Sequence, residues 1–361
     1  MIISENSSGK NKSEEQQNII LKGMSLQELQ KWAISVGQTR FRGTQLFEWM
    51  YREGVDNPTE MTNISKSFRA FLSDNCTFST LKLKKISKSQ TEPTQKFLFQ
   101  LNDGQFIETV SIIENDRHTV CVSSQIGCNL ECDFCATATL GFSRNLSAGE
   151  IVDQLIFIRK YIEQPITNIV FMGMGEPFLN YKRVMTAADI FHNPKGFNLA
   201  STRITISTGG IVPKIKQFID ENRKYKLAVS LNAPNDEIRS KIMPINNKWQ
   251  IEEIIKAVKK YSNQKRRKIM FEYVLIKDVN DSSKDAQQLV KLLKNIDCKL
   301  NIIPYNEMGG KYQRPDEQTI DNFMQILFSN QGKVRVLTRW SKGQDIDAAC
   351  GQLATKQMEI E

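Results

Sequence analysis

The chain has 361 residues, 40% of them hydrophobic and 25% charged, which is material for two or three domains with a real core. That balance excludes a wholly disordered chain. No apolar run approaches the roughly 20 residues that cross a bilayer, so no membrane partner is expected. Forty-nine Lys and Arg against 40 Asp and Glu give a net charge of +9, which suits a polyanionic partner. The start, Met1-Ile-Ile-Ser, turns polar at once and has no basic and apolar leader pattern, so the cytoplasm is the expected compartment.

Residues 1–20 lack apolar periodicity and are expected to form a flexible tail. Residues 21–77 read as a small helical domain. Ser25-Leu-Gln-Glu28 forms a capping box, a second helix starts near Thr44, and a third runs through Ile64, Phe68, Phe71 and Leu72. Residues 78–114 change period. Two alternating runs, 96–104 and 106–113, meet at Asn-Asp-Gly, the signal of a hairpin linker.

From residue 115 onward strands and helices take turns. Strands are expected over 119–123, 168–172, 203–207, 227–231, 269–276 and 300–304, with helices opening near Ser147 and spanning 251–261 and 286–296. About six such units imply a parallel α/β sheet with its site at the strands' C-terminal ends. Pattern alone leaves an open doubly wound sheet as the alternative.

Two histidines, His118 and His192, leave little for a His-rich metal site. Four of the seven cysteines crowd into fifteen residues, which in a chain without a leader reads as metal or redox chemistry. Cys128, Cys132 and Cys135 follow one another at spacings x3 and x2. Three thiolates on one loop suit a [4Fe–4S] cluster with one iron left open. The competing reading is a zinc knot that takes Cys121 or His118 as its fourth ligand. Cys121 lies within an expected strand and is awkwardly placed for that.

The run Cys-x3-Cys-x-Phe134-Cys resembles the signature of radical S-adenosylmethionine (SAM) enzymes. Phe171-Met-Gly-Met-Gly-Glu-Pro177 is similar to that superfamily's Gly-Glu element, and Ile206–Pro213, Ser230–Asn235 and Ile303–Asn306 resemble its further cofactor-contacting strand ends. With Val120–Cys128, Phe106–Val110, Phe41–Tyr51 and the C-terminal run Gly343–Leu353, the chain resembles the bacterial radical SAM methyltransferases that modify C2 of adenosine in RNA. The resemblance implies a partial (β/α)6 TIM-like radical SAM barrel over 115–345, preceded by the helical RNA-recognition domain and the β linker. A segment 346–361 would carry a methyl-accepting Cys350.

It further implies one [4Fe–4S] cluster on Cys128, Cys132 and Cys135, and two SAM molecules per turnover held by Gly175, Glu176, Ser207, Ser230, Leu231, Asn232 and Asn306. Cys350 is expected to be methylated and then to bridge covalently to RNA. Glu108 would remove the ring proton, and Cys121 would resolve the adduct through a transient disulfide with Cys350. The implied partners are large-subunit ribosomal RNA, transfer RNA and a low-potential electron donor of flavodoxin or ferredoxin type, with the protein a monomer. The segment 338–343 has fewer arginines than the family pattern. The related adenosine-C8 resistance enzymes share the cysteine equipment, and a non-catalytic zinc-binding RNA module is the alternative of a different class. Lys82–Lys88 and Lys256–Lys268 are the strongest basic clusters and the candidates for phosphate contact.

Overall fold

The computed structural model describes residues 18–263, 268–330 and 332–354. Most of the expected tail, and the Lys-Arg-Arg of the second basic cluster, lie outside them. The N-terminal unit is tied at both ends, because β1 (Ile19–Ile20) pairs in parallel with β2 (Cys76–Thr77). Within it, α1 (Leu26–Ser35) opens on the Ser25/Glu28 capping box, with Ser25 N–H donating to Glu28 Oε2 at 2.7 Å. The second helix, α2 (Arg40–Phe47), begins four residues before Thr44 and runs into a π-helical turn, Glu48–Glu53, closed by left-handed Gly54. Gly43, inside α2, lets α1 pass so close that a Cβ there would lie 2.5 Å from Gln30 Cα. Ser65 caps α3 (Lys66–Asn75).

A ten-stranded sheet follows. Its antiparallel part is β3 (Leu81–Lys88), β4 (Thr94–Leu101), β5 (Phe106–Glu114) and β6 (Arg117–Cys121). A separate two-stranded ribbon, β7 (Gln125–Gly127) with β8 (Phe142–Asn145), brackets the cysteine loop and the short α4 (Ala136–Thr139). The parallel part continues from β6 through β9 (Asn168–Phe171), β10 (Ile204–Thr208), β11 (Lys226–Ser230), β12 (Ile269–Leu275), β13 (Cys298–Pro304) and β14 (Val334–Thr338), in that spatial order.

Helices alternate with these strands: α5 (Ala148–Tyr161), α6 (Tyr181–His192), α7 (Val212–Asp220), α8 (Asp236–Ile242), α9 (Ile251–Asn263), α10 (Ser283–Leu293) and α11 (Glu317–Ser329). Ser147 and Glu150 cap α5 reciprocally, and α10 opens three residues earlier than its apolar period suggests because Ser282 and Asp285 form a box there.

Two features depart from the sequence reading. The hairpin strands join the barrel sheet directly through β5 and β6 instead of standing apart. A seventh parallel strand, β14, was not foreseen; it is five residues long and alternates buried Val334 and Val336 with exposed neighbours. All seven parallel strands contribute side chains to one cavity, so the sheet curves around it as an open barrel. The buried hydrophobic side chains of the N-terminal unit, such as Phe47, Met50 and Leu72, belong to the same continuous core as those of the barrel.

Candidate functional site

The cysteine loop is built by close packing. Gly127 has φ +69°, and a Cβ on it would strike the Gly141 carbonyl of the returning strand. The next residue, Cys128, donates its N–H to that carbonyl at 2.9 Å. Phe134 is buried against Ile242, Met243 and Tyr305, which anchors the loop between Cys132 and Cys135. Burial pushes the Cys128 thiol up to about 12, and Cys132 and Cys135 also rise; Cys128 feels the charge of Cys135, Cys132 that of both others, and Cys135 that of Cys350.

Among the described residues no three His, Cys, Asp or Glu side chains converge on a point where a single metal ion would sit. A [4Fe–4S] cluster makes a different demand, because each thiolate takes its own iron corner. Three neighbouring, non-convergent thiols fit that group. His118 offers no fourth ligand: its Nδ1 and Nε2 lie 2.8 Å from the Gln164 carbonyl and Ser111 Oγ, so both ring nitrogens are engaged.

Beside this loop lies a cradle suited to the amino-acid part of a cofactor. Glu176 follows Gly175, whose φ of +92° and contact with Gln125 leave no room for a side chain. The Glu176 carboxylate accepts from the Phe178 N–H at 2.9 Å and the Gly209 N–H at 2.7 Å, and burial raises its pKa to about 7. The Thr208 side chain also hydrogen-bonds this carboxylate, whose remaining acceptor capacity suits an ammonium. Ser207 and Ser230 lie on the C-terminal turns of β10 and β11. The Ser230 and Leu231 carbonyls accept from Arg239 at 3.1 and 3.0 Å.

Two expected cofactor contacts have their side chains engaged elsewhere. Asn232 Oδ1 accepts from Val274 N–H at 2.9 Å, and its Nδ2 faces Met243 sulfur, so this side chain locks neighbouring strand ends. Asn306 Nδ2 donates to Ser341 Oγ and to the Cys350 carbonyl, both at 2.9 Å, and its Oδ1 accepts from Gln344. It holds the C-terminal segment.

The second pair of cysteines meets inside the barrel. Cys121 ends β6, Cys350 follows β14, and both line a cavity of about 550 Å³. Burial pushes the Cys121 thiol up to about 12, Cys350 adds to the rise and Arg339 opposes it. Cys128, Cys132 and Cys135 and this pair are all free thiols. Backbone contacts fix the C-terminal segment on the cysteine loop: Ala136 N–H donates to Gly351 O at 2.7 Å and Thr137 Oγ1 to Leu353 O at 2.6 Å.

Glu108, on β5, does not line that cavity. Its Oε1 pairs with Lys96 Nζ at 3.1 Å, and in the C-terminal segment the charge of Asp347 raises its pKa while the Ala354 backbone N–H lowers it.

Sequence reading missed three cations at this site. Arg339 lies against both cysteines and 3.4 Å from Glu272; its only sequence signal was its place in the segment that departs from the family pattern. Lys96 read only as part of a hairpin. Arg239 is fully buried, donates to the carbonyls of Gly209, Ser230 and Leu231, and sits in an unremarkable helical stretch.

Comparison with known proteins adds an independent line. Residues 122–292 match the radical SAM superfamily model, and residues 19–78 match that of the ribosomal RNA large subunit methyltransferase N-terminal domain. The chain is 45% identical over 344 residues to the dual-specificity RNA methyltransferase RlmN of Bdellovibrio bacteriovorus, covering 94% of this chain and 85% of that one. It is 42% identical over 338 residues to the protein of the same name from Geotalea uraniireducens, covering 93% and 97%. The crystal structure of a radical SAM methyltransferase from Sphaerobacter thermophilus superposes with a TM-score of 0.88 at 42% identity, over 93% of this chain and 99% of that one.

Proposed function

Since this chain belongs to the RlmN family of dual-specificity RNA methyltransferases within the radical SAM superfamily, we propose that it methylates C2 of adenosine in large-subunit ribosomal RNA and in transfer RNA. It is a SAM-dependent RNA methyltransferase whose family carries a [4Fe–4S] cluster and SAM. Cys128, Cys132 and Cys135 would hold the cluster, and Gly175, Glu176, Ser207, Ser230 and Leu231 would form the cofactor cradle. Asn232 and Asn306 shape that cradle through the strand ends and the segment they hold. When bound, these groups supply an electrophilic methyl and a hydrogen-abstracting radical.

The remaining chemistry belongs to the protein. Adenine C2 is not a nucleophile, so a thiolate at Cys350 accepts the methyl first. After a hydrogen atom is lost from that methyl, its carbon bonds to C2 and joins RNA to Cys350. The adduct, still a radical on the ring, gives one electron back to the donor couple, and Glu108, which Lys96 ties to the segment carrying Cys350, takes the C2 proton, so the ring is aromatic again. The Cys121 thiolate attacks the Cys350 sulfur; the sulfur–carbon bond breaks with its electron pair on the methylene carbon, which takes up a proton to become the methyl, so methylated RNA leaves and a Cys121–Cys350 disulfide remains for reduction.

The observation that carries this reading is the meeting of Cys121 and Cys350 in one cavity, although 229 positions separate them in sequence. A disulfide renewed every turnover suits the reducing cytoplasm and a low-potential donor of flavodoxin or ferredoxin type. We take the working unit to be a monomer. Among the described residues no helix is long and apolar enough to cross a membrane.

The test is anaerobic reconstitution with iron, sulfide, SAM, reductant and either RNA, followed by nucleoside mass spectrometry. 2-Methyladenosine is expected. 8-Methyladenosine would move the chain to the resistance branch, and colourless protein carrying one zinc would overturn the enzyme reading.

A further inference from the structure

Interiors of (β/α) barrels are ordinarily filled by layers of Val, Ile and Leu. This one is not. Inward-facing positions alternate along each strand, and the inner face of β6 carries Arg117, Thr119 and Cys121 in turn. The other strands repeat the pattern, with Asn168 on β9, Thr205 on β10 and Asn301 on β13 lining the same cavity. From Arg117 to Cys121 is four residues, about 13 Å at strand rise. The cavity therefore runs the length of the strands, from their N-terminal ends to the two cysteines.

The N-terminal mouth is cationic. Arg117, Lys226 and Lys299 line it, and Arg203 stands beside it, 3.4 Å from Asn168 Oδ1. None of the four forms an ion pair with a carboxylate among the described residues. Their mutual repulsion is felt at Lys226, whose pKa is lowered by burial and then by Lys299, Arg117 and Arg203. Two carboxylates line the cavity. Glu114 lies near this mouth, and Glu272 lies deeper, held by Asn301 at 3.0 Å and by Arg339.

The described part of the second basic run that stands out in the sequence behaves differently, whereas the Lys82–Lys88 run lies along β3, away from the cavity. Lys256 pairs with Glu252, Lys260 with Asp220 and Lys268 with Asp297. Concentrating unneutralised charge at one mouth is costly unless an anion completes it.

The other approaches to the cysteines are covered. The cysteine loop and residues 350–353 close the C-terminal face. The gap between β14 and the antiparallel strands is bridged by Lys96 donating to the Asp347 carbonyl at 3.1 Å and by Lys342 paired with Glu92 at 2.9 Å.

We propose that RNA docks on the N-terminal ends of the barrel strands, with phosphates beside the target nucleotide on Arg117, Lys226 and Lys299, and that the base, drawn from its stack, enters the polar bore toward Cys121 and Cys350. This rests on the RNA reading above and adds the face, the route and the contacts. RNA then reaches the two cysteines from the end of the barrel opposite the proposed cofactor cradle.

The experiment uses the full chain, purified anaerobically with its cluster, and an unmodified transfer RNA transcript as probe. Lys226→Glu/Lys299→Glu is expected to weaken RNA binding, read by fluorescence anisotropy, at least tenfold. The slope of log Kd against log salt should fall by about 2, one per lost phosphate contact. Lys226→Gln/Lys299→Gln should do the same more mildly and serves if the reversal does not fold. The methyl load of Cys350, measured by peptide mass spectrometry after SAM alone, reads the cofactor end separately. Unchanged RNA affinity and salt slope in the folded double variants would overturn the proposal. So would a larger loss from Lys84→Glu on β3, or a fall in RNA binding that appears only with loss of the Cys350 methyl. The C2 assignment fails separately, if wild-type protein binds RNA yet yields no 2-methyladenosine.

Discussion

Lys96 Nζ lies 3.1 Å from one oxygen of Glu108, while the other oxygen, Oε2, is buried without a hydrogen-bond partner among the described residues. Burial pushes this carboxyl above the ordinary range and Lys96 pulls it back. A buried carboxylate that Lys96 clamps through one oxygen is placed to take up a proton on the other. Glu108→Gln is expected to lower RNA methylation by roughly 10²–10⁴-fold, the usual worth of a positioned base, with Cys350 still methylated by SAM. Lys96→Met removes the charge that keeps Glu108 ionised. The carboxyl then titrates higher, and the acidic limb of the pH–rate profile should move to higher pH. An unmoved limb would show that Glu108 is not the group titrating.

Cys121 is the proposed exit from the covalent adduct. Cys121→Ala keeps the methyl acceptor, the cluster ligands and Glu108, and removes only the thiol that attacks Cys350 sulfur. The expected outcome is a stable protein–RNA species, seen as an RNase-sensitive upward shift on a denaturing gel and absent from Cys350→Ala. Normal turnover by Cys121→Ala would remove the disulfide step from the mechanism.

The parts of this site that lie on one stretch of chain were legible in sequence. The cysteine loop needs no distant partner to be recognised, and the Ser147/Glu150 box fixes the next helix from four residues alone. What could not be read depends on convergence. Arg339 acquires meaning only when β14 pairs with β13 and carries it beside Cys121. Lys226 and Lys299 look like any lysines at strand starts until curvature turns their faces to a common cavity. Asn306 is expected at the cofactor because Ile303–Asn306 resembles the superfamily's cofactor-contacting strand ends, a likeness that says nothing of its other partners. Its three hydrogen bonds to the C-terminal segment come from residues 35 to 44 positions away. Strand β14 escaped notice because a five-residue edge strand has too few alternations to stand out.

Glu176 gives a pH signature. Burial lifts its carboxyl from the model-peptide range to about 7. Between those values the folded state holds a proton that the unfolded state has released, so unfolding free energy falls as pH rises through that window. The contribution is on the order of 3 kcal/mol, present at about pH 4 and lost by about pH 8. Thermal denaturation of cluster-free protein should therefore show a midpoint that declines from pH 5 to pH 8, with Glu176→Gln flattening the decline. Equal slopes in the two proteins would mean the group is ionised throughout.

Arg239 joins the fold to the cofactor cradle. It is fully buried, and its guanidinium donates to Gly209 O at 2.6 Å, Leu231 O at 3.0 Å, Ser230 O at 3.1 Å and Asn246 Oδ1 at 3.0 Å. Those carbonyls end β10 and β11, where the strands stop and no ladder partner remains, so a single side chain replaces three backbone donors. Burial lowers its pKa to about 10, still well above neutrality, so the fork stays charged at working pH. Arg239→Met keeps much of the volume and strands the carbonyls at about 1–3 kcal/mol each, for a total of at least about 3 kcal/mol in urea unfolding. SAM affinity, measured by equilibrium dialysis under conditions where the variant is folded, should fall as well, because Gly209 also donates to Glu176 and its displacement frees that carboxylate. Arg239→Lys restores one donor without the fork and should recover only a minor part of both losses. A variant that loses stability but binds SAM as wild type would confine Arg239 to the fold and separate the strand ends from the cofactor.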